Sequence, residues 1–256
     1  MVGSARRRTG ASGYRERVPL VAAAICPHPP LIVPELAGAA APELDELRAA
    51  CDSAVAGLLA AEPDEIHLVG SGPETTAFGP ADFGSLRGYG LDRDVPLWKA
   101  SCAGGERLPL SLTIGAWLAG RSGTDLPRLA RSVAADETPQ RCARLGAELV
   151  GGADRRVALL VAGDGSACRG LQAPGYDDPR AEPYDDGVAR ALAGADAEAL
   201  LGLDPALSAQ LRVAGRAPWQ VLAGAVRAAG GDWRGELRHY SAPYGVAYFV
   251  ASWEPA

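Results

Sequence analysis

The chain has 256 residues, 25 basic against 31 acidic, a net charge of -6 and a hydrophobic fraction of 48%. That length allows one large α/β domain or two small ones, large enough to fold without a disulfide or metal staple. The acidic balance excludes the basic face that a nucleic-acid partner needs, and no apolar run approaches the ~20 residues of a membrane span.

The cysteines are Cys26, Cys51, Cys102, Cys142 and Cys168. Their odd number, wide scatter and lack of a CxxC pair predict reduced thiols in a cytoplasmic protein. Residues 1–17 carry arginines but lead into no h-region of secretory form, so they read as a disordered tail before a domain spanning 18–256.

Val18–Ile25 is a continuous apolar run, the pattern of a strand buried on both faces. Pro27, Pro29 and Pro30 end it, because proline offers no amide proton to a ladder. Pro42–Ala61 has apolar residues at helical spacing, with Glu43, Asp45 and Glu46 at the positive end of the helix dipole. Glu65–Gly70 reads as the next strand, which makes a βαβ unit and a parallel pair. Thr75–Asp94 reads as a long loop with one short strand. Leu110–Ala119 fits either a helix or a buried strand, and periodicity does not decide. Thr138–Val150 predicts a helix, Val157–Ala162 a buried strand, Asp178–Leu201 an acidic loop followed by a helix, and Ala217–Ala229 another helix. Leu237–Trp253 is strand-like, broken by Pro243 and Gly245. With no repeat and no linker, the expectation is a single α/β domain with a largely parallel central sheet flanked by helices.

In open α/β sheets, ligands collect beyond the carboxyl ends of the strands. Four segments are expected to share such a crevice: Cys26–Pro30, Ser71–Glu74, Gly163–Cys168 and Ala214–Trp219. His28, at a strand end among prolines, suits metal binding or proton transfer, and equally a loop-capping hydrogen bond. His67 lies within a strand and reads more readily as a structural histidine than as a ligand. His239 carries no motif, and no HxH, HExxH or HxxxH spacing exists. Gly163-Asp164-Gly165-Ser166 offers a carboxylate, a hydroxyl and free amides at a strand end, or simply a tight turn. Cys168 is a nucleophile only if a neighbour such as Arg169 lowers its pKa, and otherwise a buried inert thiol. The run Tyr176–Asp186 reads as a solvated acidic loop, a lid or a cation site.

Four stretches in this order, AAAICPHPPLIVPE, LLVAGDGSACRG with PGYDD following, AGRAPWQVLAGA and APYGVAYFVASW, carry a family likeness over nearly the whole domain. The chain resembles the LigB-type (class III) extradiol ring-cleavage dioxygenases and their Memo-like relatives, most closely the actinobacterial class III extradiol dioxygenase-like proteins. The resemblance implies a crevice at strand ends in which active members hold Fe(II) by two histidines and a carboxylate, with a further histidine moving protons; in Memo-like members a cysteine replaces the carboxylate. His28 matches the first histidine ligand. At the second the chain reads Ser71-Gly72-Pro73, with His67 several residues early. The acid-base histidine is replaced where Ala167 and Cys168 follow Asp164-Gly165-Ser166, and the third ligand falls at Ala214-Gly215-Arg216.

The resemblance therefore predicts an Fe(II)-dependent oxidoreductase on a small aromatic substrate with a degenerate non-heme iron site. His28 and His67 would be its metal ligands, with Asp164, Ser166 and Cys168 beside them as catalytic groups. The alternatives are a non-catalytic member whose crevice binds a metabolite or a partner protein, and metal-free chemistry on His28 with Cys26, Cys168 or Asp164. The expected partner is a small molecule, with a homo-oligomer or a second protein completing the assembly, and neither nucleic acid nor membrane.

Overall fold

Residues 20–98, 105–151 and 155–256 are described by the computed structural model; the tail 1–17 and Cys102 lie outside them. Strand β1 (Leu20–Cys26) is buried along its whole length, as its unbroken apolar run requires. A short helix α1 (Pro34–Ala37) and a 3-10 turn lead into α2 (Asp45–Ala60). Pro42 therefore sits in the 3-10 turn ahead of the helix, not within its first turn. Strand β2 (Glu65–Gly72) follows, then β3 (Thr76–Phe78), β4 (Phe83–Ser85) and β5 (Asp94–Pro96), so the expected long loop contains two short strands and leads into a third. The ambiguous apolar segment is helix α3 (Leu110–Arg121).

Beyond it come β6 (Arg128–Ala134), α4 (Pro139–Val150), β7 (Val157–Ala162) and α5 (Ala181–Ala193). The short helices α6 (Ala197–Leu201) and α7 (Pro205–Gln210) precede the long α8 (Arg216–Ala229), and the chain ends in β8 (Trp233–Ser241) and β9 (Tyr248–Pro255). Thr138 caps α4 by accepting from the Arg141 amide at 3.2 Å. Strand β6 has no counterpart among the elements expected from sequence, because Arg128, Arg131 and Ser132 interrupt the apolar pattern.

Seven strands form one sheet in the order β3-β6-β2-β7-β1-β9-β8. It is parallel through β6, β2, β7 and β1, and antiparallel at both edges. The expected largely parallel sheet is thus a mixed one. The β8–β9 connection is too short for a crossover, so it can only reverse the chain. Helices α2 and α3 cover one face, packing on Ala24, Cys26, Leu68, Leu160 and Val250. Helices α4, α5 and α8 cover the other, on Ile25, Val69, Leu159, Val161 and Phe249. Among the described residues no helix is long and apolar enough to cross a membrane.

Helices α4 and α8 touch backbone to backbone. A Cβ on Gly224 would collide with the backbone of Ala143, and one on Gly146 with the backbone of Val221 and Ala225. Overpacking of this kind costs about 1–3 kcal/mol. Gly224→Ala is expected to lower the unfolding free energy in a urea titration by that amount. Gly88→Ala, with open space around the added methyl, should leave it within about 0.5 kcal/mol of the parent.

Candidate functional site

The register of the central strands aligns the residues that follow them. Cys26 pairs with Ala162 between β1 and β7, and two further residues along each strand stand His28 and Asp164. The His28 backbone amide donates to Asp164 Oδ1 at 2.7 Å, and His28 Nδ1 lies 3.4 Å from the same oxygen. On the other side of β1, Ile25 pairs with Ala251 of β9. Beyond the end of β1 the start of β9 meets the turn after β7 directly, the Gly165 amide donating to the Ala247 carbonyl at 2.8 Å and the Ala247 amide to the Ser166 carbonyl at 2.9 Å, which brings Tyr248 within the field of Asp164. Cys26 and Tyr248 belong to the core on the α2/α3 face. Asp164, His28 and Tyr248 thus form a row across three strand ends.

The loops converge there for a steric reason. The Gly163 amide donates to the Cys26 carbonyl at 3.0 Å, and the Gly215 amide to the Asp164 carbonyl at 2.8 Å. A Cβ on Gly163 would come within 2.6 Å of Gly215 Cα and within 3.0 Å of Trp219 Nε1. Only glycine at 163 lets the start of α8 press against the turn after β7. Three of the four expected segments therefore meet. The fourth, Ser71–Glu74, follows β2 on the other side of β7, where Gly70 pairs with Ala162; it is pinned by Ser111 Oγ, donating to the Ser71 carbonyl at 2.5 Å, and by Ser132 Oγ, donating to that of Glu74 at 2.6 Å.

Burial dominates the electrostatics of the row. It pushes the Asp164 carboxyl above its ordinary range, against the pull of the His28 charge and backbone amide. Tyr248 is raised by burial first, then by the negative charges of Asp164 and Tyr244. Its phenol therefore stays protonated as a neutral donor at neutral pH. His28 Nδ1 is buried with no hydrogen-bond partner. Sequence reasoning misses Tyr248 because nothing in the strand pattern of β9 distinguishes it from its apolar neighbours; only the backbone bonds of Ala247 to Gly165 and Ser166 bring it to the turn of Asp164.

The other predicted residues are placed differently. Ser166 is fully buried and donates to Asp185, from its amide to Oδ1 at 2.9 Å and from its hydroxyl to Oδ2 at 2.5 Å. It is a structural anchor, not a group free for chemistry. Asp185, fully buried, is the unexpected member of the acidic run, which is helical from Ala181 rather than a solvated loop. Arg169 reaches Asp185 at 3.4 Å, Glu182 at 3.0 Å and the Tyr240 hydroxyl at 2.8 Å, so it braces this network and does not serve Cys168. The Cys168 thiol faces the Gly175 and Leu211 carbonyls at 3.4 and 3.5 Å, and burial raises its pKa, the opposite of an activated nucleophile.

His67 does not join His28. Its Nε2 is 2.8 Å from Glu65 Oε1, and Glu65 Oε2 is 3.1 Å from Arg155. It sits five residues before the end of β2, about 16 Å back along the strand at ~3.3 Å per residue. It pairs in register with Leu159 and Leu129, and Leu159 belongs to the core on the α4/α8 face. The sheet lies between the two imidazoles, so the predicted pair of metal ligands is separated. Arg216, where the resemblance places the third ligand, is a buried guanidinium that donates to the carbonyls of Ala135 and Glu137 and to Gln220. No group of three His, Cys, Asp or Glu that could hold a metal occurs among the described residues. A facial triad needs two imidazoles and a carboxylate; the row supplies one of each, and the described residues do not fit Fe(II).

Two outcomes follow. Because the folded-state pKa of Asp164 is raised, its contribution to stability is fully present below its unfolded value and is lost as pH rises through the folded one. Asp164→Asn keeps an acceptor for the His28 amide but cannot ionise. Thermal melts should therefore show the parent losing ground to the variant as pH rises above about 4, the ordinary carboxylate value. Cys26, Cys51, Cys142 and Cys168 are all free and buried, so alkylation with mass-spectrometric mapping should modify none of them appreciably before unfolding. A single fast-reacting thiol among these four would restore the nucleophile reading.

No protein-family model matches the chain, and no curated protein matches it. Among solved structures it is similar to the uncharacterized protein JW3007 from Escherichia coli K12, with a TM-score of 0.59 and 13% sequence identity over 91% of this chain and 99% of that one. At that identity the likeness is one of fold alone.

Proposed function

We propose that the chain is an extradiol dioxygenase-like (LigB superfamily) protein whose strand-end crevice binds a small oxygenated metabolite, such as a phenol, without a resident iron. The observation that carries this reading is the row of Asp164, His28 and Tyr248 at the carboxyl ends of β7 and β1 and the start of β9. The place is where open α/β sheets collect ligands. Asp164 orients the loop of His28 through the backbone amide, the imidazole can take or give one proton, and Tyr248 can donate a hydrogen bond to an oxygen. Ring cleavage by Fe(II) needs a second imidazole that the row lacks, and the redox step that the iron would supply has no substitute among these groups. The four family-like stretches support the ancestry, and the donor set supports binding or proton transfer rather than oxygenation.

The test is anaerobic Fe(II) loading followed by desalting, and calorimetric titration with catechol, on the parent and on His28→Ala. The expected result is no stoichiometric iron, with saturable catechol binding that weakens about tenfold in the variant, the loss of roughly one hydrogen bond. One equivalent of iron that disappears in His28→Ala, with oxygen uptake on adding catechol, would overturn the metal-free reading; absence of any catechol binding would overturn the crevice.

A further inference from the structure

On the opposite face of the sheet, under α4, lies a second cleft, of ≈ 250 Å³, lined by His67, Ala77, Leu129, Arg131, Glu148 and Leu149, together with Leu68, Phe78 and Ala130 between them along the strands. The register explains why these residues meet. His67 pairs with Leu129 and Val69 with Arg131 between β2 and β6, and Arg131 with Ala77 between β6 and β3. Residues 67, 129 and 131 therefore project from one face, two of them polar where α4 would otherwise be met by aliphatic side chains.

Both polar groups have unused capacity. The His67 side chain is 11% exposed, its Nε2 is 2.8 Å from Glu65, and Glu65 is in turn ion-paired with Arg155. A carboxylate can only accept, so Nε2 carries a proton toward Glu65, and Nδ1 is buried with no partner. Among the described residues Arg131 makes no hydrogen bond or ion pair through its guanidinium, and its Nε is buried without a partner. The one carboxylate on the cleft wall, Glu148, is already paired with Arg141 at 3.3 Å. Beside these lies apolar surface, including Leu129, which is 38% exposed.

We propose that this cleft binds a small aromatic carboxylate that carries a hydroxyl group. The carboxylate would pair with Arg131, whose planar fork matches it. The ring would lie against Leu129 and Leu149, and the hydroxyl would donate to His67 Nδ1. The cleft is smaller than the roughly 300–1,000 Å³ of sites for drug-sized ligands, which limits the occupant to a single ring. Glu65, itself paired with Arg155, orients the ring through Nε2 and leaves Nδ1 as the nitrogen without a protein partner. This inference does not rest on the strand-end reading, because the two sites leave the sheet on opposite faces.

The test is calorimetric titration of the full chain with 3- and 4-hydroxybenzoate, benzoate and phenol, repeated on Arg131→Gln, Arg131→Lys, His67→Phe and His28→Ala. Variants are first compared with the parent by circular dichroism. Saturable binding of at least one hydroxybenzoate is expected, weakened about tenfold or more in Arg131→Gln and partly restored in Arg131→Lys. Benzoate should bind more weakly, and the component of hydroxybenzoate binding that depends on Arg131 should persist in His28→Ala, which bears only on the phenol site at the strand ends. In a folded His67→Phe, the preference for hydroxybenzoate over benzoate should vanish; if that variant does not fold, the two Arg131 variants alone decide. The proposal is overturned if no hydroxybenzoate saturates, if Arg131→Gln binds as the parent does, or if binding is lost in His28→Ala instead, which would assign the ligand to the strand-end row.

Discussion

The parallel pairing of β1 with β7 is the constraint on which the rest depends. Both strands are buried on both faces, between α2 and α3 on one side and α4, α5 and α8 on the other. A slip of one residue would exchange every side chain between two tightly packed cores, so the register is strongly specified. That register sets Asp164 beside His28. The close contact of Gly163 with Gly215 then fixes how near α8 comes to the same turn. Position here follows from packing, and the chemistry is a consequence of it.

Behind the row stands a second network that is easily mistaken for part of it. Asp185 takes two hydrogen bonds from Ser166 and one from Arg169 in a fully buried setting. Burial raises its pKa, and the bonds to Ser166 and Arg169 oppose that shift. Removing one partner of such a group strands the other, at a cost of roughly 3–5 kcal/mol. Its role is to hold the turn after β7 in shape, which also explains why a serine in a glycine-rich turn need not be reactive. The polar groups of this fold thus divide by face and depth. The row of His28, Asp164 and Tyr248 is at the strand ends, the Ser166–Asp185–Arg169 brace lies behind it, and His67 with Arg131 lies on the far side.

Individual elements show what local pattern can convey. β1 and β7 are legible because unbroken aliphatic runs bounded by proline or glycine have few other solutions. β6 is not legible, because an edge-proximal strand carrying Arg128, Arg131 and Ser132 loses the alternation on which recognition depends. The acidic run misleads for a related reason. Charge density argues for solvent, yet Asp185 is buried because Ser166 and Arg169, remote in sequence, offer it enough donors. His28 and Asp164 can be named as candidates from their turns. Tyr248 cannot, since its place near them depends on the start of β9 bonding to the turn after β7, a segment remote in sequence.

By itself, then, the sequence determined an α/β domain, most of its helices and central strands, and the turn residues at the carboxyl ends of β1 and β7. Those features rest on periodicity and on the backbone limits of proline and glycine, which act over a few residues. The tertiary structure alone decided that the edges of the sheet are antiparallel, that His28 and His67 face opposite ways, and that Ser166 and Cys168 are occupied in the core. Side-chain direction in a strand alternates residue by residue, so which groups meet depends on register between distant segments, and register is a property of the assembled sheet.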